Sequence, residues 1–218
     1  MRAMYLLPAI AFLSLKICML SGQEVLNLEF PSGDFSEQIK TVSTASGDVT
    51  VVLKVYRNIP YVAKPADREY QSLNVYVPVR LNGRAVDASG VPILFDIAVG
   101  GYMSVNTARL ERTSRRADLA LAAGYVVVAP ACRGRDNRAS DGRYFGKAPA
   151  ALVDLKAAVR YIRHNAGKIP GNTDCIISVG CSAGGALSAV LGTSGNSPLF
   201  EGCLQEIGAA DERAAGLR

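Results

Sequence analysis

An apolar run, Cys175-Ile176-Ile177-Ser178-Val179, meets Gly180-Cys181-Ser182-Ala183-Gly184-Gly185 with no linker between them, and a small-residue stretch from Ala186 to Leu191 follows at once. The first run has the length of a buried strand and the last reads as a helix; glycines let the chain turn sharply from one to the other. A strand feeding straight into a helix of small residues must pack that helix back on its sheet, so this part of the chain is committed to an α/β layer architecture. The turn itself has the form G-x-S-x-G, which lifts a serine hydroxyl clear of a sheet.

The rest of the chain supports that reading. Strands are expected over residues 24–30, 38–43, 49–56 and 70–78, where alternation in Val51-Val52-Leu53-Lys54-Val55-Tyr56 and Leu73-Asn74-Val75-Tyr76-Val77 suits antiparallel pairing. From Val91 the rhythm changes to strand and helix in turn: strands over 91–99, 125–131 and 174–179, helices over 107–123 and 149–165. Such alternation implies right-handed crossovers and a parallel sheet. The expected fold is therefore an antiparallel edge leading into a doubly wound, mainly parallel sheet. One domain accounts for the length.

A net charge of +5, spread over short mixed-sign stretches, contains no basic block of the kind that binds nucleic acid. Arg109, Arg112, Arg115 and Arg116 fall in the expected helix over 107–123 and read as a solvated face. The first residues, Met1-Arg2-Ala3-Met4-Tyr5, then an apolar run to Leu20 and the small Ser21-Gly22, have the pattern of a secretory leader over residues 1–22, interrupted by Lys16. Export to the periplasm or beyond follows as an expectation, with no stable membrane association once the leader is cleaved. Four cysteines, Cys132, Cys175, Cys181 and Cys203, lie beyond it; their spacing names no pair, and Cys132 and Cys175 are expected to be buried as small apolar residues on strands. A single histidine and no C-x-x-C pair argue against a zinc site, and no metal is expected.

Serine is a weak nucleophile without a neighbouring base. Ser182 is the candidate nucleophile, and the backbone N–H of Ala183, at the start of the following helix, is placed to meet a developing oxyanion, where such a donor is worth about 3 kcal/mol. A second donor is expected from the loop after an earlier strand, and Val99-Gly100-Gly101-Tyr102-Met103 stands at that place. Neither the elbow nor Gly142-Arg143-Tyr144-Phe145-Gly146-Lys147-Ala148 fits a nucleotide-binding glycine motif. The loop Cys132-Arg133-Gly134-Arg135-Asp136-Asn137-Arg138 follows a strand and has two readings, a ligand-facing loop or a solvated one in which Arg133 or Arg135 bonds backbone carbonyls.

The elbow with its Ala183-Gly184-Gly185-Ala186-Leu187-Ser188 continuation, together with Tyr61-Val62-Ala63-Lys64-Pro65, Tyr70-Gln71-Ser72-Leu73-Asn74-Val75-Tyr76-Val77-Pro78 and Val99-Gly100-Gly101-Tyr102-Met103, resembles the α/β-hydrolase esterases related to bacterial tannases and feruloyl esterases. The resemblance runs from about Tyr61 onward and includes Glu206-Ile207-Gly208-Ala209-Ala210-Asp211. It implies an α/β-hydrolase fold, a small-molecule ester substrate, phenolic in some members, a Ser-Asp-His triad and no cofactor. By it, Ser182 is the nucleophile, Gly101 and Ala183 supply oxyanion amides, and Cys181 matches members whose cysteine beside the serine is disulfide-bonded to one beside the histidine.

The chain departs from that pattern in one respect. No histidine follows Ser182, and Glu201, Glu206, Asp211 and Glu212 stand close behind the elbow for a triad acid. His164, the single histidine, precedes Ser182 at the end of the helix over 149–165 and reads as a surface residue favoured by the helix C-terminus. The expectation is that residues 23–218 are the N-terminal part of a catalytic domain, incomplete at the C-terminus and inactive as they stand. A non-catalytic binding protein that retains the scaffold is the alternative.

Overall fold

Valine-rich runs make the centre of the molecule, as their β-branched side chains favour a pleated, packed surface. The computed structural model describes residues 25–211, so the expected leader lies outside the described residues. In chain order the elements are β1 (Ser36–Thr44), β2 (Gly47–Pro60), β3 (Ser72–Leu81), β4 (Arg84–Ala85), β5 (Pro92–Ile97), a short 3₁₀ turn (Thr107–Glu111) and α1 (Arg115–Ala122). Then come β6 (Val126–Pro130), α2 (Ala150–His164), β7 (Asn172–Gly180), α3 (Ala183–Ser194) and α4 (Glu201–Glu206). The strands form one mixed sheet in the order β1-β2-β3-β6-β5-β7, with β4 beside β3. β1 to β3 are antiparallel to one another, β3 meets β6 antiparallel, and β6, β5 and β7 are parallel.

Strand direction places the helices. The connection from β5 through α1 to β6 steps one way along the sheet, and that from β6 through α2 to β7 steps the other way, past β5. Both crossovers being right-handed, α1 and α2 cover opposite faces. α3 leaves β7 and packs on that strand and against α2. All five residues of β6 are buried, as are Ile93, Phe95 and Ile97 of β5 and Leu73, Val75 and Tyr76 of β3. β7 lies at the end of the sheet, and Ile177 on it is half exposed.

Four expectations need correction. Residues 25–30 form no strand: the Leu26 amide donates to Ala63 O (2.9 Å), the Phe30 amide to Asn165 Oδ1 (2.8 Å), and Asn165 Nδ2 to Leu28 O (2.9 Å). Their backbone is satisfied by one isolated backbone bond and the Asn165 side-chain amide, not by a ladder. The helix expected over 107–123 is two pieces, because Asn106 and Ser114 each cap a new start by accepting from the amides of Arg109 and Ala117. Arg116 leaves the solvated face to pair with buried Asp96 at 2.8 Å. Cys132 is buried as expected but follows β6, and Cys175, on edge strand β7, is only partly covered.

Close backbone approach explains the glycines around the elbow. A Cβ on Gly180 would sit 2.3 Å from the Gly184 carbonyl carbon, and one on Gly184 would sit 2.7 Å from Ile97 O. Gly192, also on α3, faces open space. Gly180→Ala should therefore destabilise the chain by about 3 kcal/mol through overpacking, whereas Gly192→Ala should stabilise it by about 0.5–1 kcal/mol through helix propensity. Denaturant melts of the two variants check the contrast.

Candidate active site

β5 and β7 are adjacent parallel strands whose connections leave toward opposite faces, and Ile97 of β5 pairs with Gly180 of β7. In open α/β sheets the crevice at the carboxyl ends of such a strand pair is where ligands bind. The segment after Ile97 and the turn after Gly180 thus emerge side by side by register alone.

Ser182 sits at φ 53° and ψ −123°, a positive-φ conformation that strains a non-glycine residue by on the order of 1–3 kcal/mol. Packing holds it there: the Gly184 amide donates to Val99 O (3.0 Å) and to Cys181 O (2.9 Å). Although Ser182 occupies the cap position of α3, its side chain makes no capping hydrogen bond, and the residue is exposed. Ser182, Cys181, Val99 and Gly100 line one cavity of about 420 Å³, with Asp96, Arg109, Arg112, Ser114 and Arg116 on its other walls. Ala183 is buried at the first position of α3, and among the described residues its amide has no acceptor.

Gly100 to Met103 form a tight turn closed by Met103 N to Gly100 O at 3.0 Å, with Gly101 at φ 58° and Tyr102 at φ 56°. Two successive positive φ values are the signature of a type I′ turn. Gly101 is exposed, and among the described residues its amide also has no acceptor. Gly100, not Gly101, borders the Ser182 cavity.

The turn is held from behind by the arginine-rich loop. Val105 and Cys132 exchange both backbone hydrogen bonds at 3.0 Å, and the Arg135 amide donates to Tyr102 O at 2.9 Å. Ser104 clamps Asp136 twice, its amide donating to Oδ1 (2.6 Å) and its hydroxyl to Oδ2 (2.8 Å). Partial burial would raise the Asp136 carboxyl, but the two Ser104 donors, with the Asp136 amide and the charge of Arg135, together hold it below its usual value.

Arg133 is neither ligand-facing nor solvated. Its Nη2 meets Asp154 Oδ1 at 2.8 Å, its Nε meets Oδ2 at 3.0 Å, and its backbone amide reaches Oδ2 at 2.8 Å. Only a longer bond, Nη1 to Phe145 O at 3.3 Å, matches the expected carbonyl partner. Gln71 Nε2 adds a further donor to Asp154 at 2.9 Å. Burial pushes the Asp154 carboxyl up while the Arg133 guanidinium pulls against it. The signal for this pair was present in Leu152-Val153-Asp154-Leu155, where an acid interrupts an apolar stripe.

His164 closes α2 near the start of β7, whereas Ser182 follows the end of β7, so the strand's length of roughly 25 Å at about 3.3 Å per residue separates them. The Glu29 carboxyl is lowered chiefly by its bond to Lys168, with His164 a minor contributor, and His164 does not line the Ser182 cavity. Glu201 pairs with Arg160 at 2.8 Å, and the backbone of Ile207 and Gly208 bonds Lys64 and Ala63. The four described cysteines are free, and Cys181 is exposed.

Residues 74–215 match the model of the BD-FAE family, an esterase-like domain. The chain belongs to that family. Among solved structures it is similar to the tannase of Fusobacterium nucleatum, with 40% identity, a TM-score of 0.74 and coverage of 85% of this chain and 40% of that one. It is likewise similar to the tannin acyl hydrolase of Lactobacillus plantarum, with 39% identity, a TM-score of 0.72 and coverage of 84% and 41%. A segment of 58 residues is 40% identical to Esterase LipC of Mycobacterium tuberculosis, covering 27% of this chain and 14% of that protein. This BD-FAE chain thus has the α/β-hydrolase type of fold, is related to tannases, and spans about two-fifths of the length of the tannases it matches.

Two outcomes follow from the supports of the Gly100 turn. Asp154→Ala strands a buried guanidinium and should cost about 3–5 kcal/mol, and combining Arg133→Met with Asp154→Leu should recover only part of it, because the Arg133 amide and Gln71 still lose their acceptor; urea melts measure both. Because the folded Asp136 carboxyl lies below the unfolded value of about 3.9, its clamp is fully present above that pH and is lost as the pH falls through the lowered value. Amide-exchange protection of Ser104 should follow that course and be lost at every pH in Asp136→Ala.

Proposed function

We propose that this chain carries the nucleophile half of a serine ester hydrolase. The observation that supports the reading best is the strained, exposed Ser182, held by packing of Gly180 and Gly184 beside a turn with a free Gly101 amide. Strain at a non-glycine residue persists only where its surroundings over-determine it, and it clusters at functional sites.

In this reading the Ser182 Oγ attacks the ester carbonyl. The oxyanion that forms is met by the Ala183 amide, with the Gly101 amide, on the turn next to the cavity-lining Gly100, as the second donor by resemblance; the alcohol leaves, and water then hydrolyses the acyl-enzyme. No cofactor takes part. Substrates are small carboxylic esters, phenolic ones among them, by relation to tannin acyl hydrolases whose structures were solved with ethyl gallate and with 3,4-dihydroxybenzoate.

Each proton transfer needs a base, and the one histidine of the sequence lies at the far end of β7. These 218 residues alone should therefore hydrolyse p-nitrophenyl acetate no faster than their Ser182→Ala variant. Free imidazole, with a conjugate-acid pKa near neutrality, can enter the open cavity and take the proton in place of a resident side chain. With imidazole added, release of p-nitrophenol should exceed that of Ser182→Ala by about tenfold or more, since only the former offers an oriented nucleophile. Equal rates in imidazole would remove Ser182 as nucleophile and favour a binding protein on the same scaffold. Turnover without imidazole that is lost in Ser182→Ala would show that a base exists within the chain.

A further inference from the structure

The walls of the Ser182 cavity are strongly positive. Arg109, Arg112 and Arg116 all line it, against a single acid, Asp96. Asp96 is buried and already satisfied, accepting from Arg116 Nη2 at 2.8 Å and from Ser114 Oγ at 2.6 Å. That pair neutralises Arg116. The side chains of Arg109 and Arg112 have no hydrogen-bonding or acidic partner among the described residues, and both residues are exposed. Glu111, between them in sequence, faces a separate depression with Lys40, which Arg112 also borders.

We infer that the cavity selects esters that carry an ionised carboxylate in addition to the scissile ester, with Arg109 and Arg112 as the specificity-determining residues. The inference rests on the serine-hydrolase reading of the same cavity. Guanidinium groups present several N–H donors in a fixed fork that matches a carboxylate, and they remain charged at any working pH. The two are set on the 3₁₀ turn and the segment just after it, which Asn106 anchors by accepting from the Arg109 amide. They line the same cavity as Ser182, so a bound ester that offers its carbonyl to Ser182 can offer its second carboxylate to the arginines. A neutral ester would leave the same two charges to water.

Binding can be tested without catalysis, in the Ser182→Ala variant of the whole chain. The probes are monomethyl terephthalate, an ester with a free carboxylate, and methyl 4-carbamoylbenzoate, its neutral isostere, followed by ligand-observed NMR titration. The carboxylate should bind about tenfold more tightly, as expected for two solvent-accessible ion pairs of modest strength. The preference should shrink as salt rises from about 0.05 to 0.5 M, because the screening length falls. It should drop severalfold in Arg112→Gln and in Arg109→Gln, with the affinity of the neutral ester unchanged. Equal affinity for the two probes, or a preference that survives both substitutions, overturns the inference. Neither result bears on Ser182 as nucleophile, which the imidazole experiment decides on its own.

Discussion

Asp154 is the buried charge on which the geometry around Ser182 depends. Its carboxylate lies inside α2 with no exposure, and it is tolerable there only because Arg133 and Gln71 satisfy it from two other elements. In doing so it joins α2, the start of β3 and the loop after β6. That loop then holds the Gly100 turn through Val105, Arg135 and Asp136. The turn in turn leads back to Val99, whose carbonyl takes the Gly184 amide of the elbow. A series of hydrogen bonds joined by short stretches of backbone thus runs from a core carboxylate to the elbow that holds Ser182.

Close packing supplies the other half of the constraint. Gly134 and Gly146 admit no Cβ, because backbone atoms of Ser104 and of Gly134 itself lie 2.0 Å from where one would stand. The loop after β6 is therefore pressed against the segment before Val105, not merely bonded to it. With Gly180 and Gly184 pressed together at the elbow, the cavity is framed by backbone that has no room to shift. Strain at Ser182 is sustainable for that reason: relaxing it would require moving two glycine contacts and the Val99 carbonyl together.

Local pattern made much of this visible. The alternating runs that became β2 and β3, the continuous valines of β6 and the G-x-S-x-G turn before α3 all read correctly, because period and glycine placement are local properties. Residues 25–30 read as a strand and are not one, since a strand exists only where a partner ladder does, and here Asn165 takes the hydrogen bonds. The arginines at 109, 112, 115 and 116 read as one solvated face, and 109, 112 and 115 are exposed, but Arg116 turns to buried Asp96, and 109, 112 and 116 line the Ser182 cavity. Arg133 was ambiguous because its partner lies 21 residues away in α2.

The sequence by itself determined the α/β class, the position of the elbow and the presence of a glycine turn after β5, because these follow from side-chain period, from residues that permit tight turns, and from motif resemblance. It also showed that a single histidine precedes Ser182. Only the tertiary structure decided that the elbow and the Gly100 turn stand side by side, through the pairing of Ile97 with Gly180, and that His164 lies at the opposite end of β7. Only it paired Asp154 with Arg133 and left Arg109 and Arg112 free beside the serine. Those are matters of register, crossover direction and burial. They arise when distant segments compete for the same core, so no local window of sequence contains them.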